Sequence, residues 1–558
     1  RKLRVLFNTH SIDGYIIPKN DEFFSEHANK DRLKKITNFT GSAGYAIILK
    51  NKNYLFVDSR YTIQAKIESG KEFEICDYEK IFDFKEIKNL TIGLDPALFT
   101  SEQIKKIFPR KNIKVIKENL LDKIIKYKKS KINKFYPLDK QITGQSHLEK
   151  INIIIEFLKK NKLDHIFVSA PENVAWLLNI RGKDSPTSPI PNSHLLISRN
   201  RKRILIAPKE KLKILIKKKI ININEILEPK EFYKINERLS GSRILLDIKS
   251  CSLKFEELFS KKFKVFKKND PIYYLKSIKN KVEIDNTIKT HIQDGVALTK
   301  FLFWIKNINK KKITEVDAQN KLETFRKKNK NYIFPSFNTI AGTGPNAAIV
   351  HYRAKKNNTR VIKPKDLFLC DSGGQYNYGT TDVTRTICFS RQSSKVKNIF
   401  TDVLKGHIAV ATTNLNKINI GKKIDINARK FLRNKGLDYG HGTGHGVGYF
   451  LNVHEGPQGI SKYNSIKIKP GMIISNEPGY YEENKFGIRI ENLVYAKKTN
   501  KNFYFENLTL APIEKDLINF SKLTQKEKNY LFKYHMEVYS KISPYLDKQE
   551  KKWLASQI

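Results

Sequence analysis

The sequence predicts a mixed α/β chain in three parts, two small domains of similar style followed by a larger one. Three observations predict it. The length is 558 residues, which at roughly 150 residues per domain suggests three or four domains with ample buried core. Short apolar runs bounded by turn residues alternate with helical patterns twice before residue 275, the mark of α/β units. Beyond that point one long helical pattern leads into a region rich in glycine and histidine.

Taken in order, residues 15–18, 44–49 and 54–57 read as short strands, with TGSAG at 40–44 as a turn cluster. Residues 136–137 and 141–144 read as a linker that closes a first domain at 1–145. The pattern then restarts. Residues 148–158 and 173–178 look helical, 165–169 looks like a strand, and 195–198 with 204–207 read as paired strands. This second domain, 146–274, repeats the style of the first, so the two are expected to be copies of one fold. The third domain, 275–558, opens on a helix at 281–307 and ends in a charged helical tail at 523–547, with Trp553 just beyond.

Composition narrows the function classes. Hydrophobic residues make up 40% of the chain, which fits a globular rather than a disordered protein. No run of about 18 apolar residues occurs, so no membrane span is expected. No secretory apolar segment is visible, and the expected compartment is the cytoplasm. Cys76, Cys251, Cys370 and Cys388 form no CxxC pair and read as buried thiols, not a disulfide framework. The net charge is +49, which attracts polyanions by counterion release. The basic residues are nonetheless dispersed, for example at 201–203, 217–219, 310–312 and 326–328, in a chain crowded with Ile and Asn. Lys, Ile and Asn are residues of AT-rich codons. No RNP, zinc-finger or KH pattern is present, so the charge reads as solvated faces and nucleic acid is not an expected partner.

The chemistry concentrates between residues 335 and 494, which hold five of the chain's 12 histidines. Residues 367–389, LFLCDSGGQYNYGTTDVTRTICF, read as a hairpin turning at 375–379. Antiparallel pairing can set Asp371 beside Asp382 on one face, where two like charges need a cation or a shared proton. The alternative is a solvated hairpin with two surface carboxylates. Residues 440–457, GHGTGHGVGYFLNVHEGP, carry His441, His445 and His454 in a stretch too glycine-rich for a helix. It reads as an irregular loop whose backbone approaches a ligand closely. In 473–492, Glu477 precedes Pro-Gly at a strand end, and 487–494 reads as a strand with Arg489 and Glu491 on one face. That face is either solvated or, if buried, paired or coordinated. Asp371, Asp382, His445, Glu477 and Glu491 together make a carboxylate-rich set with one imidazole, suited to Mn²⁺, Zn²⁺ or Co²⁺. Four acids over-neutralise one divalent ion, whereas two ions sharing bridging carboxylates balance the charge.

These motifs resemble those of aminopeptidase P, the Xaa-Pro aminopeptidases, in the long three-domain form of the pita-bread metallopeptidases. TGPNAAIVHY, DSGGQYNYGTTDVTRT, HGTGHGVGYFLNVHEGP, NEPGYY and GIRIEN follow in the family's order, and YIIP, FTGSAG and DSRY match near the N-terminus. The resemblance implies two creatinase-N-terminal-like α/β domains and a C-terminal pita-bread catalytic domain. It implies that Asp371, Asp382, His445, Glu477 and Glu491 bind two divalent ions, Mn²⁺ first and Zn²⁺ or Co²⁺ as alternatives, with Asp382 and Glu491 bridging. His351, His441, His454, Arg60 and Arg489 are the implied substrate contacts. His454 or His351 doubles as oxyanion stabiliser, and Glu477 as proton shuttle. The implied reaction is attack of a metal-bridging hydroxide on the carbonyl before proline, releasing the N-terminal residue. A homodimer is implied as well. The alternatives are a prolidase-type dipeptidase on the same fold and a non-catalytic basic protein that binds nucleic acid. The extra N-terminal domains argue against a methionine aminopeptidase.

Overall fold

The computed structural model describes residues 1–26, 30–109, 112–127, 132–308 and 313–558, so the basic run at 310–312 lies outside the described residues. The chain divides into two compact units, Arg1–Tyr273 and Tyr274–Ile558.

The first unit contains two six-stranded mixed sheets. In one, the strands run Glu74–Asp77, Asn53–Val57, Tyr45–Leu49, Gly14–Pro18, Ile92–Leu94, Ile113–Val115. In the other they run Ile226–Leu227, Arg203–Ile206, His194–Ser198, His165–Val168, Arg243–Asp247, Lys264–Lys268. Order and direction match strand for strand: three central strands pair antiparallel, and the flanking pairs are parallel in both. The central strands are buried on both faces, which is why YAIIL is a continuous apolar run and HLLIS has an apolar centre. The period of two is still visible in what each residue touches. Tyr15, Ile17, Ala46 and Ile48 join one core, while Ile16, Tyr45, Ile47 and Leu49 join the core on the opposite face.

The segment expected to be a linker is instead structured. Tyr136–Pro137 pairs with Ile180–Arg181, and Lys140–Thr143 is a helical turn closed by Gly144 at φ 69°. Buried hydrogen bonds pin it: Asn179 donates to Thr143 Oγ1 at 3.1 Å and to the Gln145 carbonyl at 2.7 Å. The next helix, His147–Lys160, begins on a Ser146–Glu149 capping box.

The second unit opens on the helix Lys281–Asn307, which starts on an Asn280–Glu283 capping box as its apolar period suggests. The predicted hairpin is present but stepped. Phe368–Ser372 pairs with Val383–Ile387 and Ile340–Thr343, while Gly374–Tyr376 and Gly379–Thr380 turn aside to pair in a second small sheet with Tyr332–Pro335. The strand expected over 487–494 is broken. Phe486–Arg489 pairs with Gly479–Glu482, and Asn492–Lys498 joins a five-stranded sheet beside Ile473–Asn476. Ile490 and Glu491 form the crossing between the two sheets.

A buried polar network ties the first helix to the hairpin. Arg326 holds Asp294 through Nε at 2.7 Å and Nη2 at 3.2 Å. Tyr376 donates to the same carboxylate at 2.7 Å and Thr381 at 3.0 Å. Thr381 Oγ1 also accepts from the Gly374 amide at 2.9 Å, so one carboxylate grips both arms of the stepped hairpin. Asp294→Ala leaves the Arg326 guanidinium, 1% exposed, buried without its anion. The expected cost is about 3–5 kcal/mol, read as a shifted urea transition of the second unit; a change under about 0.5 kcal/mol contradicts it.

Candidate metal centre

The stepped hairpin, the glycine-rich segment and the sheet crossing each deliver a charged or coordinating group to one place. Asp371 lies in the strand Phe368–Ser372, and Asp382 immediately precedes Val383–Ile387. His445 sits on the short strand Gly444–Gly446, which pairs on both sides, with Glu455–Ile460 and Ile473–Asn476. The segment is therefore partly a sheet rather than wholly an irregular loop. Glycine makes this possible, since a Cβ on Gly444 would lie 1.9 Å from the Ser475 carbonyl oxygen. Glu477 follows Ile473–Asn476, and Glu491 occupies the crossing.

The five predicted ligands come together. His445 Nε2 lies 3.4 Å from Asp382 Oδ2 and 3.4 Å from Glu477 Oε1. Asp382, His445 and Glu491 each present a ligand atom within 4.8 Å of the others. The carboxylate of Asp371 is buried; Oδ2 accepts from Arg489 Nη2 at 2.7 Å, and Oδ1 has no hydrogen-bond partner. Thr384 donates to Glu491 at 2.7 Å, and Ser475 donates to Glu477 at 3.0 Å. His445 Nδ1 faces the Gly446 carbonyl at 2.9 Å. That contact places a ring proton on Nδ1 and turns Nε2 toward the acids, the orientation of a metal ligand once Nε2 is deprotonated.

The electrostatics need a cation. Burial, then repulsion from Asp382, Glu477 and Asp371, pushes the Glu491 carboxyl well above the usual range. Burial also raises Glu477, with Asp382 adding to the shift. Asp371 is pushed up to about 7 by burial and its acidic neighbours, against the pull of Arg489. His445 is raised to about 9: burial opposes its charge, but the hydrogen bond to Asp382 and the Glu477 charge prevail. Carboxyls driven toward protonation and an imidazole driven toward charge are what an anionic cluster shows when protons balance it. Four carboxylates, one nitrogen and a buried orphan oxygen on Asp371 fit divalent ions in the proton's stead.

The predicted substrate contacts are placed less uniformly. The exposed His454 ring stands edge-on to His445, centroids 4.4 Å apart. His441 is buried, its Nε2 2.8 Å from Tyr481 Oη and its Nδ1 2.8 Å from the Gly442 carbonyl. Arg489 is 1% exposed and bonds Asp371, Tyr481 at 2.6 Å and Thr384 at 3.1 Å, so its contacts are with the ligand shell. His351, half-buried, follows Val350, whose carbonyl accepts from Arg489 Nη2 at 3.5 Å. Arg60 lies in the first unit, where its Nη2 grips Asp58 at 2.7 Å.

Sequence reasoning overlooked several supporting groups. Tyr481 links His441 to Arg489; its place in NEPGYY was the available signal. His407, on the helix Ser394–Ala411, meets the Asn476 carbonyl through Nδ1 at 3.1 Å, and Asn476 donates back to the His407 carbonyl at 2.9 Å. That pair steadies the residue before Glu477. Nothing in the sequence marks His407, a lone histidine in an apolar helix.

Residues 286–498 match the model of metallopeptidase family M24, and 501–558 its C-terminal region. Residues 1–123 and 126–283 each match a creatinase/prolidase N-terminal domain. The probable Xaa-Pro aminopeptidase P of Laccaria bicolor is 38% identical, over 99% of this chain and 92% of its own length. That of Pyrenophora teres f. teres is 35% identical, over 98% and 90%. Among solved structures, the X-prolyl aminopeptidase of Caenorhabditis elegans, described as a cytosolic enzyme with a di-nuclear active site, aligns at TM-score 0.92 and 28% identity. The alignment covers 100% of this chain and 98% of that one. The prolidase of Pyrococcus horikoshii aligns at TM-score 0.54 and 28% identity over 66% of this chain and 99% of its own.

Metal ligands must shed protons to bind, and here the imidazole is raised to about 9 and Asp371 to about 7. Affinity for Mn²⁺ is therefore expected to rise with pH between about 5 and 9, with protons released on binding. Calorimetric titration of metal-stripped protein in buffers of different ionisation enthalpy checks this; pH-independent binding without proton release contradicts it.

Proposed function

The chain belongs to the Xaa-Pro aminopeptidase P family of metallopeptidases, and we propose on that premise that it releases the N-terminal residue of peptides with proline second, using Asp371, Asp382, His445, Glu477 and Glu491 to hold two divalent ions. It is a hydrolase of peptide bonds. The observation that carries the residue assignment is the convergence of His445 Nε2 on Asp382 and Glu477 at 3.4 Å each, beside Glu491. The carboxylate-rich set favours Mn²⁺ over softer ions. No helix among the described residues is long and apolar enough to cross a membrane. On the family resemblance alone, we further propose a cytosolic homodimer, with domain limits at 145 and 274.

Held by Asp371, Asp382, His445, Glu477 and Glu491, two divalent ions would supply positive charge to acidify a water and offset negative charge on the scissile carbonyl oxygen. The chain's own groups do the rest. Glu477, whose carboxyl burial pushes upward, is suited to relay a proton to the prolyl nitrogen as the bond breaks. His454 is exposed against His445, and with His351 is assigned to the oxyanion. Arg489 orients Asp371 and partly offsets the burial that raises it, and Tyr481 couples that pair to His441. His441 is a further substrate contact. The bond before proline is a tertiary amide without N–H, so a site walled by imidazoles accepts it without an unmet donor. Trans substrate is expected, because cis X-Pro redirects the chain.

On Mn²⁺-loaded protein, a peptide beginning Arg-Pro-Pro should lose its first residue. Asp371→Ala should lower kcat/KM by more than about a hundredfold, beyond the usual cost of an outer-shell change. Cleavage confined to dipeptides such as Gly-Pro would instead identify a prolidase. Salt-sensitive RNA binding with no hydrolysis would leave a non-catalytic protein.

A further inference from the structure

A second charged cluster lies beneath the glycine-rich segment. Glu455 follows His454 and is buried where its neighbour is exposed. Lys276 Nζ meets Glu455 Oε2 at 2.8 Å, and Lys279 Nζ meets Oε1 at 2.6 Å. The three side chains are 2%, 1% and 0% exposed for Lys276, Glu455 and Lys279. Both lysines flank the entry to the helix Lys281–Asn307, and the Lys279 amide is itself fixed on the Gly471 carbonyl at 3.0 Å. From the other side Glu455 touches the glycine-rich segment. It pairs with Gly446, and a Cβ on Gly448 would stand 3.0 Å from Glu455 Oε2.

Burying two ammonium groups on one carboxylate is a poor route to stability, since desolvation offsets much of the attraction and apolar packing would serve as well. The better-attested use of such a cluster is to fix register. Each carboxylate oxygen has its own cation, so the side chain cannot rotate without losing one contact. The residue so fixed is the immediate neighbour of an exposed imidazole packed edge-on to a metal ligand.

We propose that Glu455, clamped by Lys276 and Lys279, is a positioning residue that holds the backbone of His454 and thereby aims its imidazole at the metal centre. The inference rests on the substrate role assigned to His454 above. No proton or bond changes hands at Glu455.

The test is a double-mutant cycle on Mn²⁺-loaded full-length protein with an Arg-Pro-Pro peptide. Glu455→Gln should lower kcat/KM about tenfold to a hundredfold, the scale of a small misplacement. On a His454→Ala background the same change should cost less than about twofold, because a residue acting through His454 has nothing left to act on. Equal losses on both backgrounds overturn the proposal. A second readout needs no turnover: carbethoxylation of histidines, mapped by mass spectrometry. The His454 rate should change in Glu455→Gln while the buried His291 and His407 stay protected. Parallel gains at all three mean general loosening and also overturn it, as does an unchanged His454 rate. If wild-type protein cleaves no Xaa-Pro bond, the substrate reading has failed, and the labelling result still decides the positioning role. Lys276→Gln, which leaves Glu455 one cation and removes one buried charge, carries both measurements if Glu455→Gln does not fold.

Discussion

Mutual repulsion among buried carboxylates is the constraint around which the second unit is built. Asp371, Asp382, Glu477 and Glu491 are drawn from three stretches of chain and crowded about one imidazole. Left to themselves, such groups push apart or neutralise. The structure opposes this with restraints on three of the acids and on the imidazole: Arg489 on Asp371, Thr384 on Glu491, Ser475 on Glu477 and the Gly446 carbonyl on His445. Farther out, the Asp294–Arg326 pair locks the hairpin and the His407–Asn476 pair locks the strand before Glu477. The arrangement is stiff because the charge it gathers would otherwise disperse it, and a stiff cluster of acids is a receptor for divalent ions.

Secondary structure yields to that requirement in three places. The hairpin steps sideways between Asp371 and Asp382. The strand bearing His445 is only three residues long. The chain changes sheets at Glu491 instead of continuing. Each departure turns a ligand out of a regular ladder and into the shared space, which a continuous strand, with side chains alternating between two faces, would not allow.

These departures also explain which parts were legible in the sequence. The five candidate ligands could be picked out because each sits among glycines, histidines or a Pro-Gly turn that ordinary packing does not require. The helix Lys281–Asn307 could be read from its period, and the paired strands His194–Ser198 and Arg203–Ile206 from apolar runs. The stepped hairpin and the sheet crossing could not, because local pattern does not reveal which sheet a strand will join. Residues 136–144 looked like a linker because tertiary hydrogen bonds, not composition, order them. The supporting pairs were equally hidden. Lys279 lies 176 positions from Glu455 along the chain, with Lys276 close before it, and all three look singly like solvated charges. Asp294 and Arg326 look like helix-surface residues, yet both are buried.

The duplicated strand order of the first unit has its own consequence, one for biogenesis. Two sheets of identical order and direction within one polypeptide give each strand a counterpart whose place it could take by mistake. Exchange between like modules is a recognised route to misassembly in tandem proteins. Here the counterparts differ in sequence and length: GYIIP answers to HIFV and IGL to RILLD. That divergence denies a misplaced strand a matching bed, so dissimilarity between the copies serves fidelity as the chain emerges and folds.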